Sequence, residues 1–244
     1  MIAKLMRLLE LLITDKAIIA LVTWPKFSLA AYKIISRLIR AGVEPKIVID
    51  VGANAGQFAV AANKLYPGAT IYPIEPDPRV ADLLQKNVGK AIAKNVMITA
   101  VGDLPGIAQF HVNRDPQVSS LLKLGADRIE SFPNSDVIEQ INVPVNTLDT
   151  LFSTIILDGP ILLKIDAQGF EDRVIRGASQ LLKRVSWILI EVSFSKLYED
   201  EKDFISIYRL LQTYGYEFVR PMNFHISPKT GDIIEMDALF KRVT

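Results

Sequence analysis

Three acidic residues stand at or near the ends of short apolar runs: Asp50 in Val48-Ile49-Asp50-Val51, Glu75 after Thr70–Ile74, and Asp166 after Ile161–Ile165. A carboxylate at the carboxyl end of a buried strand can hold a cation, accept hydrogen bonds from a ribose diol, or take a proton from a reacting hydroxyl. Around Asp50 the chain reads V-I-D-V-G-A-N-A-G-Q-F, residues 48 to 58, which predicts a strand running into Gly52, a tight turn, and a helix beginning after Gly56. Backbone N–H groups and the positive end of that helix are expected to face a ligand. A dinucleotide turn needs a middle glycine so that a pyrophosphate can approach the backbone. Ala53-Asn54-Ala55 fills that interval instead, and Asp50 would repel phosphate. A cationic nucleoside without phosphates suits the turn better, and S-adenosylmethionine, with its sulfonium and ammonium, is such a ligand.

Glu75 opens Glu75-Pro76-Asp77-Pro78. An acid at the end of a second strand, about twenty residues past the first turn, is placed for a ribose diol. The two prolines remove N–H donors and stiffen the segment. Asp166 belongs to L-L-K-I-D-A-Q-G-F-E, residues 162 to 171, in which Gly169 lets a helix start sharply. If its strand lies beside that of Asp50, two carboxylates flank the methionine end of the ligand.

These residues need a scaffold, and the apolar runs describe one. Ile47–Val51, Thr70–Ile74, 96–101, Ile161–Ile165 and 187–192 are β-rich, and the first, second and fourth are followed by helix-patterned segments. That succession predicts βαβ units in a parallel sheet covered on both faces. Gly106 to Val112 reads as a further short strand, 113–142 as a polar loop over the site, and 216–219 with 236–243 as a closing antiparallel hairpin. Ahead of these, residues 1 to 40 carry seven Lys or Arg against two acids, which leaves 21 basic against 25 acidic residues beyond them. Leu5, Leu8, Leu9 and Leu12, and again Ala31, Ile34, Ile35 and Leu38, follow the i, i+3, i+4, i+7 rule, predicting two amphipathic helices with a break before Pro25. The expected organisation is a helical extension over 1–41, serving as lid, dimer contact or membrane-surface element, and a catalytic domain over 42–244.

Composition limits the alternatives. At 244 residues, half of them apolar, the chain can bury a full core without staples. The absence of Cys removes disulfides, thiolate nucleophiles and Cys-bound zinc. With 28 basic against 27 acidic residues there is no overall field for nucleic acid. No uncharged run approaches the roughly 20 residues of a membrane span, and charges recur through the first sixteen residues in a way unlike a cleaved signal peptide. The expected location is the cytoplasm.

Taken in order, V-I-D-V-G-A-N-A-G, Y-P-I-E-P-D-P, A-V-G-D-L-P-G, Ser119-Ser120, V-N-T-L-D, K-I-D-A-Q-G-F-E with its R-G-A sequel, I-L-I-E-V-S-F and D-A-L-F resemble FkbM-type class I S-adenosylmethionine-dependent methyltransferases, from about Ile47 to Phe240. The resemblance implies an α/β, Rossmann-like sheet of seven strands, mostly parallel with an antiparallel last strand, and methyl transfer to a hydroxyl of a natural product or sugar. It also implies that Asp50, Gly52, Asn54 and Gly56 line the methionine portion, that Glu75 binds ribose, and that Val101 and Gly102 border adenine. Asp166 would face the transfer region, with Ser119, Ser120 and Gln168 toward the acceptor. Gln168 departs from the family, where many members have Glu, so a metal or base there is disfavoured. Asp166 is the first candidate for the proton acceptor and Glu171 the second, followed by His111 and His225; no metal is expected. The competing functions are an NAD-dependent oxidoreductase and a cofactor-binding domain without catalysis.

Overall fold

The computed structural model describes residues 20–125, 137–227 and 230–243. Its first full helix, α1 (Leu29–Arg40), is capped by Ser28, whose Oγ accepts the Ala31 N–H. The helix therefore begins four residues beyond Pro25, which lies in the preceding turn. Ala31, Ile34, Ile35 and Leu38 face inward as their spacing requires, whereas Leu5 to Leu12 lie outside the described residues. The Arg37 guanidinium donates to the Met222 carbonyl and pins the helix to the far hairpin.

Beyond it the chain alternates β1 (Ile47–Val51), α2 (Gln57–Leu65), β2 (Thr70–Ile74), α3 (Pro78–Val88) and α4 (Lys90–Ala93). Next come β3 (Ala100–Val101), β4 (Gly106–Asn113) and β5 (Val137–Asn146), then α5 (Leu148–Leu151), β6 (Ile161–Ile165) and α6 (Glu171–Arg176). The chain closes with β7 (Val185–Ser193), α7 (Phe204–Thr213), β8 (Tyr216–Ile226) and β9 (Ile233–Arg242). Among the described residues the main sheet has six strands in the order β2-β1-β6-β7-β9-β8. The first four are parallel, and β9 runs antiparallel to both neighbours. β1 and β6 are buried along their whole length because both faces are covered. Val48, Leu162 and Leu189 pack with α1 and α2 on one side, and Ile49, Leu163, Ile165 and Ile190 with α6 on the other.

The structure corrects three expectations. The seventh strand of the main sheet is reduced to a single parallel bridge between Met97 and Ile74. Pro73 accepts from Met97 N–H but has no N–H to continue the ladder, and the Asn95 side-chain amide takes the Ile71 carbonyl instead. The chain then crosses to a separate three-stranded sheet, β3-β5-β4. The polar stretch expected as loop contains β5, which pairs antiparallel with β4 from Gly106↔Val145 to Asn113↔Val137. Its outer half, Val137–Gln140, is exposed, so no apolar alternation marked it as a strand. The closing hairpin is longer than expected, and its edge strand β8 accommodates Pro221 between register shifts.

Candidate active site at the strand-order reversal

From β1 the chain passes to β2 on one side, while β6 lies on the other, so the carboxyl ends of β1 and β6 mark the point where strand order reverses. Ligands of open α/β sheets bind outside such a point. Here a cleft of about 1100 Å³ opens, lined by Gly52–Asn54, Glu75, Lys164, Asp166, Gln168 and Glu191 among others.

Gly52 makes the approach of the two strand ends possible. Its φ is +74°, and a Cβ there would lie 1.8 Å from the Asp166 carbonyl oxygen. The turn that follows uses its own donors. Gly52 and Ala53 N–H both donate to the Ile74 carbonyl at 3.0 Å, Asn54 N–H to Glu75 Oε2 at 2.9 Å, Ala55 N–H to Asn54 Oδ1 at 2.6 Å, and Gly56 N–H to the Ala53 carbonyl at 2.9 Å. The expectation that these N–H groups face a ligand is thus corrected: residues 52 to 56 leave none uncommitted for a phosphate. Gly56 has a packing role, since a Cβ there would press on Leu84 and Val88 of α3.

What the cleft offers instead is acceptors. Gln57 lines it with a buried Oε1 that has no hydrogen-bond partner. Glu75 accepts Asn54 N–H and, through Oε1, Asp77 N–H at 3.0 Å. Burial pushes its carboxyl up to about 7 despite those bonds. A ligand that brings donors and positive charge fits such a lining, and a diphosphate does not.

At the base of the cleft Lys164 sits opposite Asp50 in the β1–β6 register, so their side chains share one face of the sheet. Lys164 Nζ is 3.2 Å from both Asp50 Oδ1 and Asp166 Oδ2. The contact to Asp50 is an ion pair without hydrogen-bond alignment, which leaves both oxygens of a fully buried carboxylate without a hydrogen bond. Burial raises the Asp50 pKa even though Lys164 pulls against it. Asp166 is pushed up by burial but pulled further down by Lys164 and Gln168, so it stays ionised. Lys164 was missed at sequence level; the signal was a lone charge in an otherwise apolar strand, two residues before an acid and therefore on the same face.

A second cluster extends this one across β7, β9 and β8. Register places Glu191 opposite Asp237, and His225 opposite Glu235. Burial, then repulsion from Glu235, Asp166 and Asp237, holds the Glu191 pKa well above the usual carboxylate range. His225 Nε2 stands 3.7 Å from Glu191 Oε1 and 3.9 Å from Asp237 Oδ2. Glu191, His225 and Glu235 each offer one ligand atom within 4.8 Å of the others, a donor set able to hold a divalent cation. Glu191 lies in the quoted I-L-I-E-V-S-F run, yet only the tertiary neighbours mark it out.

The remaining candidates divide. Val101 and Ser119 line the cleft; Gly102 is buried just behind, against Val145 and Phe170. Ser119 Oγ accepts Asn113 N–H at 3.0 Å, and Ser120 Oγ donates to the Gln168 carbonyl at 2.6 Å. Glu171 is not among the lining residues: its Oε1 accepts Ala167 N–H at 2.8 Å and tightens the loop after β6. Burial pushes its carboxyl up to about 8. His111 is buried in the β4–β5 sheet beside Gln140, away from the cleft lining, while His225 reaches it.

Residues 50–218 match the model of the methyltransferase FkbM domain. The chain is 26% identical over 174 residues to the 2-O-methyltransferase NoeI of Sinorhizobium fredii, covering 69% of this chain and 72% of that one. It is 26% identical over 205 residues to the 31-O-demethyl-FK506 methyltransferase FkbM of Streptomyces tacrolimicus, covering 74% and 77%. Among solved structures, the FkbM methyltransferase of Methylobacillus flagellatus superposes with a TM-score of 0.50 at 16% identity, over 81% of this chain and 44% of that one. With this match over most of its length and a cleft suited to a cationic nucleoside, the chain belongs to the FkbM family of S-adenosylmethionine-dependent methyltransferases.

Proposed function

We propose that the protein methylates a hydroxyl of a small, polyhydroxylated molecule, with Asp166 as the proton acceptor. The observation that carries this reading is the placement of Asp166 and Glu191 side by side in the lining of the cleft, bridged by the Gln168 amide, with Lys164 on Asp166. Two relatives are named for transfer to oxygen, which supports a hydroxyl acceptor. When bound, S-adenosylmethionine supplies an electrophilic methyl group. Glu75 would hold the ribose, Val101 would border the adenine with Gly102 behind it, and Gln57 and the Asp50–Lys164–Asp166 cluster would receive the cationic end.

The chain then has two tasks. It must align the acceptor hydroxyl, since most of the gain in such a displacement comes from positioning, and it must take the hydroxyl proton. Asp166 is suited to the second because Lys164 and Gln168 keep it charged at neutral pH. The carboxyl of Glu171 is engaged with the loop backbone, which favours a supporting part. Ser28, Ala31, Lys33 and Ile34 also line the cleft, so the start of α1 is assigned to the acceptor wall. A neutral or cationic acceptor matches a lining this rich in acids.

Labelled S-adenosylmethionine incubated with a panel of sugars and polyols, followed by mass spectrometry, tests the reading. A gain of one methyl on a hydroxyl, with Asp166→Asn lowering turnover at least tenfold and cofactor affinity less than threefold, is the expected result. Cofactor binding with no transfer to any acceptor would favour the non-catalytic alternative, and full turnover in Asp166→Asn would remove that residue from its role. Turnover is expected to survive chelation; loss with EDTA and recovery with magnesium would instead assign the Glu191–His225–Glu235 set.

A further inference from the structure

Gln168 is the one non-glycine residue of the loop after β6 with a left-handed backbone, at φ +53°, and Gly169 follows at +92°. A long side chain is disfavoured there, so contacts of the side chain itself must offset the backbone cost. Those contacts are visible. Nε2 donates to Asp166 Oδ1 at 2.6 Å and to Glu191 Oε2 at 2.8 Å. Oε1 accepts from the Tyr198 hydroxyl at 2.5 Å, and the Gln168 carbonyl accepts from Ser120 Oγ. Asp166, held ionised, fixes which end of the amide is nitrogen, because a carboxylate only accepts.

We propose that Gln168 is a positioning residue: its amide clamps Asp166 and Glu191 at a fixed separation facing the acceptor end of the cleft, and Tyr198 and Ser120 hold the clamp in place. The inference rests on the methyltransferase reading above. The physical content is that an amide offers two donors and has no proton to gain or lose. It lets two half-buried acids lie close together without itself adding charge. A glutamate in the same place has no donor unless it is protonated, so it would give up at least one of the two bonds and set a third acid against Asp166 and Glu191. The titratable groups facing the site are Lys164 and Asp50 below, Glu171 behind the loop, His225 and Asp237 across the sheet, and Glu235 beyond them.

The test uses the full chain with Gln168→Glu, Gln168→Leu and Tyr198→Phe. Thermal unfolding is followed from pH 5 to pH 8 without ligand. In the Glu variant the new carboxyl has a folded pKa above its unfolded value. Its stability relative to the parent is therefore greatest at low pH and falls as pH rises, by about 4 °C or more in Tm across this range. The Leu variant adds no titrating group, so its deficit changes less with pH than that of the Glu variant. With the best acceptor from the panel, the Leu and Tyr198→Phe variants lose at least tenfold in kcat while calorimetric affinity for S-adenosylmethionine changes less than threefold. In the Glu variant, kcat recovers toward low pH. A Tm difference between the Glu variant and the parent that stays constant with pH, or parental kcat in the Leu variant, overturns the proposal. Failure of the parent to bind S-adenosylmethionine would instead strike the functional reading, and the unfolding comparison would still decide the clamp.

Discussion

Replacing Lys164 with Met tests the electrostatic centre of the site. The ammonium serves two carboxylates at 3.2 Å and also lies 5.5 Å from the centre of the Phe58 ring. Met keeps most of the apolar stem, so the change is chiefly the loss of charge. Removing one member of a buried ion pair costs about 3–5 kcal/mol, because the partner is left buried and uncompensated. Here the loss falls mainly on Asp50, whose side chain is fully buried, and less on Asp166, whose side chain is 31% exposed and can recover some hydration. For a domain of this size the cost corresponds to a fall in Tm of about 6–20 °C.

The pH dependence follows from the same geometry. Without its cation, Asp50 has a folded pKa further above the unfolded value of about 3.9, so the native variant binds a proton that the unfolded chain does not. Stability then falls as pH rises from about 4 toward the folded value. In the parent, Asp166 contributes in the opposite sense, since its lowered pKa gives stability above about pH 4 that is lost on acidification, while the raised carboxyls of Asp50, Glu75, Glu171 and Glu191 keep the sense seen in the variant. Denaturant unfolding at pH 5 and pH 8 should therefore give a deficit for Lys164→Met that is larger at pH 8. A deficit below about 1 kcal/mol, or one equal at both values, would refute the view that Lys164 neutralises both acids.

Four further outcomes are expected. Glu75→Ala removes the acceptor of Asn54 and Asp77 N–H and the expected ribose contact, so calorimetric affinity for S-adenosylmethionine should drop at least tenfold; unchanged affinity would reject the ribose assignment. With the Glu75 carboxyl at about 7, parental affinity should weaken about tenfold from pH 8 to pH 6, as its ionised form is lost. Gly52→Ala places a Cβ against a backbone oxygen that has no rotamer to escape into, and should cost about 3 kcal/mol or more, read as a lower Tm or insoluble product. Tyr216→Phe removes the hydroxyl shared by the Leu182 and Val185 carbonyls; because Leu182 keeps Arg242, the loss should be about 1 kcal/mol by denaturant titration.

What could be read from the chain and what could not divides along a physical line. Apolar runs of about five residues and the glycine turn after Asp50 are local signals, and β1, β2 and β6 appear with the expected bounds. The inward face of α1 is likewise set by residue spacing alone. Residue order along the chain also determined that Asp50, Glu75 and Asp166 stand at strand ends. It did not determine that β1 and β6 are neighbours in a register that sets Lys164 against Asp50, because pairing between segments more than a hundred residues apart is fixed by how whole faces pack. For the same reason Glu191, Asp237, Glu235 and His225 became a cluster only when β7, β9 and β8 lay side by side. β5 has no local signal because its outer half is exposed and carries no apolar period, and the strand expected over 96–101 meets the main sheet only as a bridge at Met97 because a proline ends the ladder there. Local periodicity decides which elements form and which way they face; the partners of a buried charge are decided by packing, since only the folded sheet removes the water that would otherwise solvate each charge alone.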